Sequence, residues 1–123
     1  MGKRSKIKWR SAPQKQDYIA AESYLSLQFE PGAAKKIVRT LQDAETSEFA
    51  AKDIFRASEL PLLPDRDSYV EKDRAKIIMG EEMTPILLVR SKSHGKVIIA
   101  DGYHRLCAVY TFDEDAGIPC KIV

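Results

Sequence analysis

The sequence predicts an α+β domain, with a small mixed sheet flanked by helices and a helical pair at its N-terminal end. Three observations carry this. Residues 18–41 hold two apolar stripes at helical spacing, and 86–89 and 97–100 are short apolar runs split by a turn. A helical stretch then follows Gly102 and leads into a last apolar run at 118–123.

At 123 residues the chain suits one domain, and its 44% hydrophobic and 31% charged composition is that of a folded protein rather than a disordered one. Its 20 Lys and Arg against 18 Asp and Glu leave a net charge of +2. The balance is uneven along the chain. Lys3, Arg4, Lys6, Lys8, Arg10 and Lys15 stand in residues 1–16 without one acidic residue, so the remaining chain is mildly acidic. Residues 1–16 therefore read as a basic, flexible leader, and residues 17–123 as one domain with a helical part at 17–45 and a core at 48–123. No apolar run is long enough for a signal-peptide core or a membrane span, which points to a cytoplasmic protein with no membrane partner. Oligomeric state is left open. Cys107 and Cys120 lack the spacing of a zinc site and read as buried apolar residues.

Tyr18–Leu27 reads as a helix with Ala21, Tyr24, Leu25 and Leu27 on its inner side. Pro31 starts a second helix, as Pro does in a first turn, with Ala34, Ile37, Val38 and Leu41 as its stripe. Phe49–Phe55 reads as a short strand entering a turn. Leu60-Pro61-Leu62-Leu63-Pro64 must be extended, since each Pro disfavours helix at its predecessor. Asp67 or Ser68 caps a helix through Met79, with Val70, Ile77, Ile78 and the stem of Arg74 facing inward, and Gly80 ends it. Ile86–Val89 and Val97–Ala100 are strands around the Ser93-His94-Gly95-Lys96 turn. His104 to Phe112 is helical, and Ile118–Val123 is a closing strand whose Pro119 suggests an edge or a strand start.

The stretch that carries chemistry is Asp101-Gly102-Tyr103-His104-Arg105. A strand ends, Gly102 permits a tight turn, and a helix opens with its free amides aimed outward. His104 and Arg105 project from that first turn, which makes an anion site of amides, helix dipole and guanidinium. Asp101 is placed to cap the helix, accept a proton or hold a metal through water. The helix terminus adds ~0.3–2 kcal/mol and a charge-assisted Arg bond ~1.5–3 kcal/mol. Together these reach about 4 kcal/mol, a millimolar affinity, so a nucleotide site needs further contacts. Arg105 has a structural alternative, a salt bridge to a neighbour such as Asp101.

The run Lys96-Val97-Ile98-Ile99-Ala100-Asp101-Gly102-Tyr103-His104-Arg105-Leu106-Cys107-Ala108, preceded by Thr84–Val89 and followed by Ile118–Val123, resembles the ParB/sulfiredoxin superfamily. The likeness covers about residues 48–123. Members include nucleotide-binding domains of partition proteins, sulfiredoxin, a free-serine kinase and proteins labelled as nucleases. Sulfiredoxin carries its catalytic Cys where this chain has Tyr103, so sulfinic-acid reduction is not expected.

What the resemblance implies is binding of a nucleotide or other phosphorylated ligand at Gly102, His104 and Arg105, which match its phosphate-cradling positions; Tyr103 is counted with this ligand-binding loop, as a packing or loop-shaping side chain rather than a nucleophile. The resemblance also implies Mg-dependent hydrolysis or phosphoryl transfer, with Asp101 as one catalytic carboxylate. The kinase-like members draw an acidic base from an earlier segment, here the stretch holding Glu59, Asp65 and Asp67, of which Glu59 is the candidate. No residue is assigned as a metal ligand. The alternative is a non-catalytic adaptor of the same fold that engages protein, or DNA through the basic leader and Trp9.

Overall fold

A computed structural model describes residues 7–123, so Lys3, Arg4 and Lys6 of the basic leader lie outside the described residues. The described chain is α+β, with five helices and a four-stranded mixed sheet: α1 Lys15–Gln28, α2 Pro31–Asp43, β1 Ser47–Ala50, α3 Ala51–Ser58, α4 Ser68–Ile78, β2 Ile86–Ser91, β3 Lys96–Asp101, α5 Tyr103–Phe112 and β4 Gly117–Ile122. The strand order is β1-β4-β2-β3. The pairs β1–β4 and β2–β3 are antiparallel, while β2 and β4 run parallel.

The continuous apolar run of β2 is explained by burial on both faces. Ile86 and Leu88 point into one core with Ile99, Leu106, Val109 and Ile118, on the side covered by α3, α4 and α5. Leu87 and Val89 point into the other with Ile98, Ala100, Ala21, Leu25, Ala34, Val38 and Leu41, on the side covered by α1 and α2. The helical pair thus forms a full layer of the domain.

Several expectations shift. α1 begins at Lys15, and its buried residues are Asp17, Ala21 and Leu25. Tyr24 and Leu27 face outward, because the i, i+4, i+8 row through Asp17 is the one that meets the sheet. The strand expected across 49–55 is only β1, and α3 begins at Ala51, burying Ala51, Ile54 and Ser58 at i, i+3, i+7. Asp67 caps α4, its Oδ1 accepting the N–H groups of Tyr69 at 3.0 Å and Val70 at 3.2 Å. Val70 and Ile77 are buried on that helix, but Ile78 is 70% exposed. Pro119 lies in an inner strand; its missing N–H is tolerated because pairing with β2 begins only at Cys120.

The leader, expected to be flexible, packs on the body where it is described. Trp9 forms a parallel bridge to Met83. Arg10 N–H donates to Met83 O at 2.7 Å and Met83 N–H donates to Lys8 O at 2.9 Å. Ile7 and Trp9 are half-buried against the core, so this segment is a strap that burial of the indole holds in place.

Candidate functional site

β3 ends at Asp101, and the chain turns through Gly102 into α5. Gly102 has φ +110°, and a Cβ there would stand 2.3 Å from Ile86 Cγ2. Both the backbone conformation and the close approach to β2 demand glycine. The turn leaves the first N–H groups of α5 without intrahelical partners, as at any helix start.

Arg105, one turn into α5, does not simply project outward. Its Nη2 donates to Asp101 Oδ2 at 2.9 Å and to Pro85 O at 3.3 Å, and both charged side chains are largely buried. The structural alternative for Arg105 is therefore realised, and Asp101 is the partner. Arg105 Nε is buried without a hydrogen-bond partner. Burial pushes the Asp101 carboxyl above its ordinary range; Arg105 opposes the rise and the neighbouring Asp17 carboxylate adds to it. Asp17 sits in the first turn of α1, buried, with Oδ2 accepting the Gln14 N–H at 2.8 Å.

Above this turn lies a cavity of about 220 Å³ lined by Tyr69, Lys72, Asp73, Lys76, Asp101, Gly102, His104 and Arg105. Four of these come from one face of α4, at i, i+3, i+4 and i+7 from Tyr69, which packing against α5 turns toward the loop. Lys72, Lys76, His104 and Arg105 thus meet at the N-terminus of α5. Asp73 and Asp101 are the carboxylates beside them; burial raises the Asp73 pKa, against the pull of Arg105, Lys76, His104 and Lys72. The rings of Tyr69 and His104 lie 5.1 Å apart, and Tyr69 is largely exposed. A second polar cavity of about 290 Å³ shares Asp73, Lys76 and Arg105, and is completed by Arg10, Gln14, Gln16, Asp17, Glu81, Glu82, Met83 and Thr84.

Of the residues expected from sequence, Asp101, Gly102, His104 and Arg105 come together at the cavity. Tyr103 does not line it, because its hydroxyl is held by the Pro61 carbonyl, which ties the 60–64 segment to α5. Glu59 is not at the loop either: it is exposed, ends α3 in the left-handed conformation at φ 59°, and lines neither polar cavity. Asp67 is committed to capping α4. The carboxylates that do reach the loop are Asp73 and Asp17. The alternation of Lys72, Asp73 and Lys76 on a helix was the available signal, but only the α4–α5 contact decides which face the loop sees.

Comparisons with protein-family models, with curated proteins and with solved structures found no match to this chain. Among the described residues, no helix is long and apolar enough to cross a membrane, and no group of three or more His, Cys, Asp and Glu is arranged to hold a metal ion.

Proposed function

We propose that this chain binds a phosphorylated small molecule, a nucleotide, in the cavity over Gly102–Arg105. The observation that carries the reading is the convergence of Lys72, Lys76, His104 and Arg105 on the N-terminus of α5. With Arg105 engaged by Asp101, the helix start supplies ~0.3–2 kcal/mol of attraction. Two lysine contacts at ~1.5–3 kcal/mol each bring the total to about 6 kcal/mol, the free energy of a dissociation constant of roughly tens of micromolar. The exposed Tyr69 ring beside His104 offers a stacking face for a base. The order strand, Asp101, Gly102, His104, Arg105, helix also supports the likeness to the ParB/sulfiredoxin superfamily, whose members bind nucleotides.

Hydrolysis or transfer of the phosphate is the extension of this reading. Phosphoryl chemistry asks the protein mainly for positioning and charge neutralisation, which Lys72, Lys76 and Arg105 supply. Magnesium, which usually binds through substrate phosphates plus one or two carboxylates, would find its carboxylate in Asp73, since Asp101 is engaged by Arg105. Asp73 replaces Glu59 as the candidate catalytic carboxylate.

The test is calorimetric titration of the full chain with inorganic phosphate and nucleoside mono-, di- and triphosphates, with and without magnesium. Lys72→Ala/Lys76→Ala keeps the Asp101–Arg105 pair and is expected to lose the binding while its melting temperature in buffer stays put. No heat with any of these compounds, or binding unchanged in the double variant, overturns the proposal. Binding to duplex DNA that survives Lys72→Ala/Lys76→Ala and is lost on removing residues 1–16 would favour the adaptor reading instead.

A further inference from the structure

We propose that this chain associates head to tail with further copies of itself, the acidic turn after α4 seating in a basic groove at the far end of β2. The groove, about 540 Å³ and open to solvent, has an apolar floor of Phe29, Ile37, Val89 and Val123. Its rim carries Lys36 and Lys92, and no acidic side chain lines it; the Arg90 side chain alternates with Val89 onto the opposite face of β2 and contributes only backbone here. Neither lysine makes an ion pair among the described residues. An apolar floor with an uncompensated positive rim fits an apolar knob that brings its own carboxylates.

The chain carries such a knob. Ile78 and Met79 are 70% and 71% exposed, side by side at the end of α4, where helix periodicity would have turned Ile78 inward. Glu81 and Glu82 follow at once, both exposed and without ion pairs among the described residues. Two adjacent exposed apolar residues followed by two carboxylates form a small apolar patch with an acidic edge, a composition that suits a basic-rimmed apolar groove.

The two surfaces cannot satisfy each other within one copy. The knob ends at Glu82, four residues before β2, whereas Lys92 follows β2 directly. The six-residue strand holds them about 20 Å apart at ~3.3 Å per residue. Knob and groove are different patches, so a single contact leaves one free knob and one free groove, and further contacts give an open chain or a ring, the smallest ring being two copies that exchange both contacts. The interface is independent of any nucleotide. Glu81 and Glu82 also border the second polar cavity, so a neighbouring copy stands at its mouth.

The experiment is sedimentation velocity of the full chain across a concentration series at low and high salt. The expected result is assemblies of two or more copies that grow with concentration and shrink as salt screens the rim. The groove variant Lys36→Glu/Lys92→Glu and the knob variant Ile78→Ser/Met79→Ser should each be monomeric, with melting temperatures near the parent's because all four sites are exposed. An equimolar mixture of the two variants retains one intact knob and one intact groove, and should give a 1:1 dimer that grows no further. Glu81→Lys/Glu82→Lys is a second knob variant, which should be monomeric alone. A parent that stays monomeric throughout, variants that still assemble, or a mixture that stays monomeric would each overturn the proposal.

Discussion

Arg105 reaches back four residues to Asp101, its Nη2 2.9 Å from Asp101 Oδ2, and pins the first turn of α5 to the end of β3. The pair also holds Pro85 O, and with it the chain entering β2. Breaking it from one side leaves a largely buried charge without its partner. Asp101→Asn also removes a carboxylate whose ionisation burial disfavours, so the net destabilisation should be about 1–2 kcal/mol, below the range for a buried pair losing one member. Urea unfolding of the two proteins measures it. A loss under about 0.5 kcal/mol would mean the pair behaves like a surface ion pair.

Gly102 and Ile86 make the tightest constraint at the loop. A Cβ at position 102 meets Ile86 Cγ2 at 2.3 Å and also forces a residue to φ +110°. Gly102→Ala should cost about 3 kcal/mol or more, from strain at positive φ and overpacking together. The Ile86 Cβ would itself stand 2.7 Å away, so only Gly102→Ala/Ile86→Gly removes the steric part, and in it the two losses should fall short of additivity by about 1 kcal/mol or more. Additive losses would assign the whole effect to φ.

Asp73 and Asp101 both have pKa values raised by burial. For such carboxylates the folded state binds protons more tightly than the unfolded chain, so their contribution to stability falls as pH rises. The fall starts near the ordinary Asp value of 3.8 and is complete once pH passes their raised values. Asp73→Asn removes one ionisation and should flatten this decline, leaving the variant more stable than the parent at neutral pH. A series of melting curves from acid to neutral pH reads the slope. A steeper decline in Asp73→Asn would reverse the sign.

Cys107 and Cys120 are fully buried, and burial raises both thiols, Cys120 to about 11. Thiolate, the reactive form, is scarce in the folded protein. Alkylation at pH 8 should be slow in buffer and fast in denaturant for both residues. Fast reaction of either in the folded state would contradict their packing.

Trp9, the one tryptophan in the chain, bridges to Met83 and packs on the core. Trp9→Ala should cost about 2–3 kcal/mol, somewhat below the value for a fully buried aromatic. Indole fluorescence should shift to the red when residues 7–10 are released, which a solvated tail would not show.

Much of the architecture was legible because local chemistry and long-range packing agree. Pro31 at a first turn, Asp67 as a cap, Gly80 as a helix stop and the apolar β2 run each need only their neighbours to be interpreted. The Asp101–Arg105 turn was legible for the same reason, as strand, glycine and helix start are contiguous. Ile78, Leu27 and the α3 segment were misread where several apolar faces compete at similar spacing. There, the choice depends on which neighbour covers which face.

The amino-acid sequence by itself determined the α+β class, the order of elements in the C-terminal half, and glycine at 102 beside a cation-bearing helix start. Those features arise from residues a few positions apart, whose backbone preferences and hydrogen bonds are settled locally. Only the tertiary structure decided that Asp73, not Glu59, faces the loop, that Tyr103 is spent on Pro61, and that Lys72 and Lys76 join Arg105. These pairs are separated by some 30 to 40 residues. What brings them together is the burial of α4 and α5 against one face of the sheet, a contribution spread over the whole core that no single stretch of sequence displays.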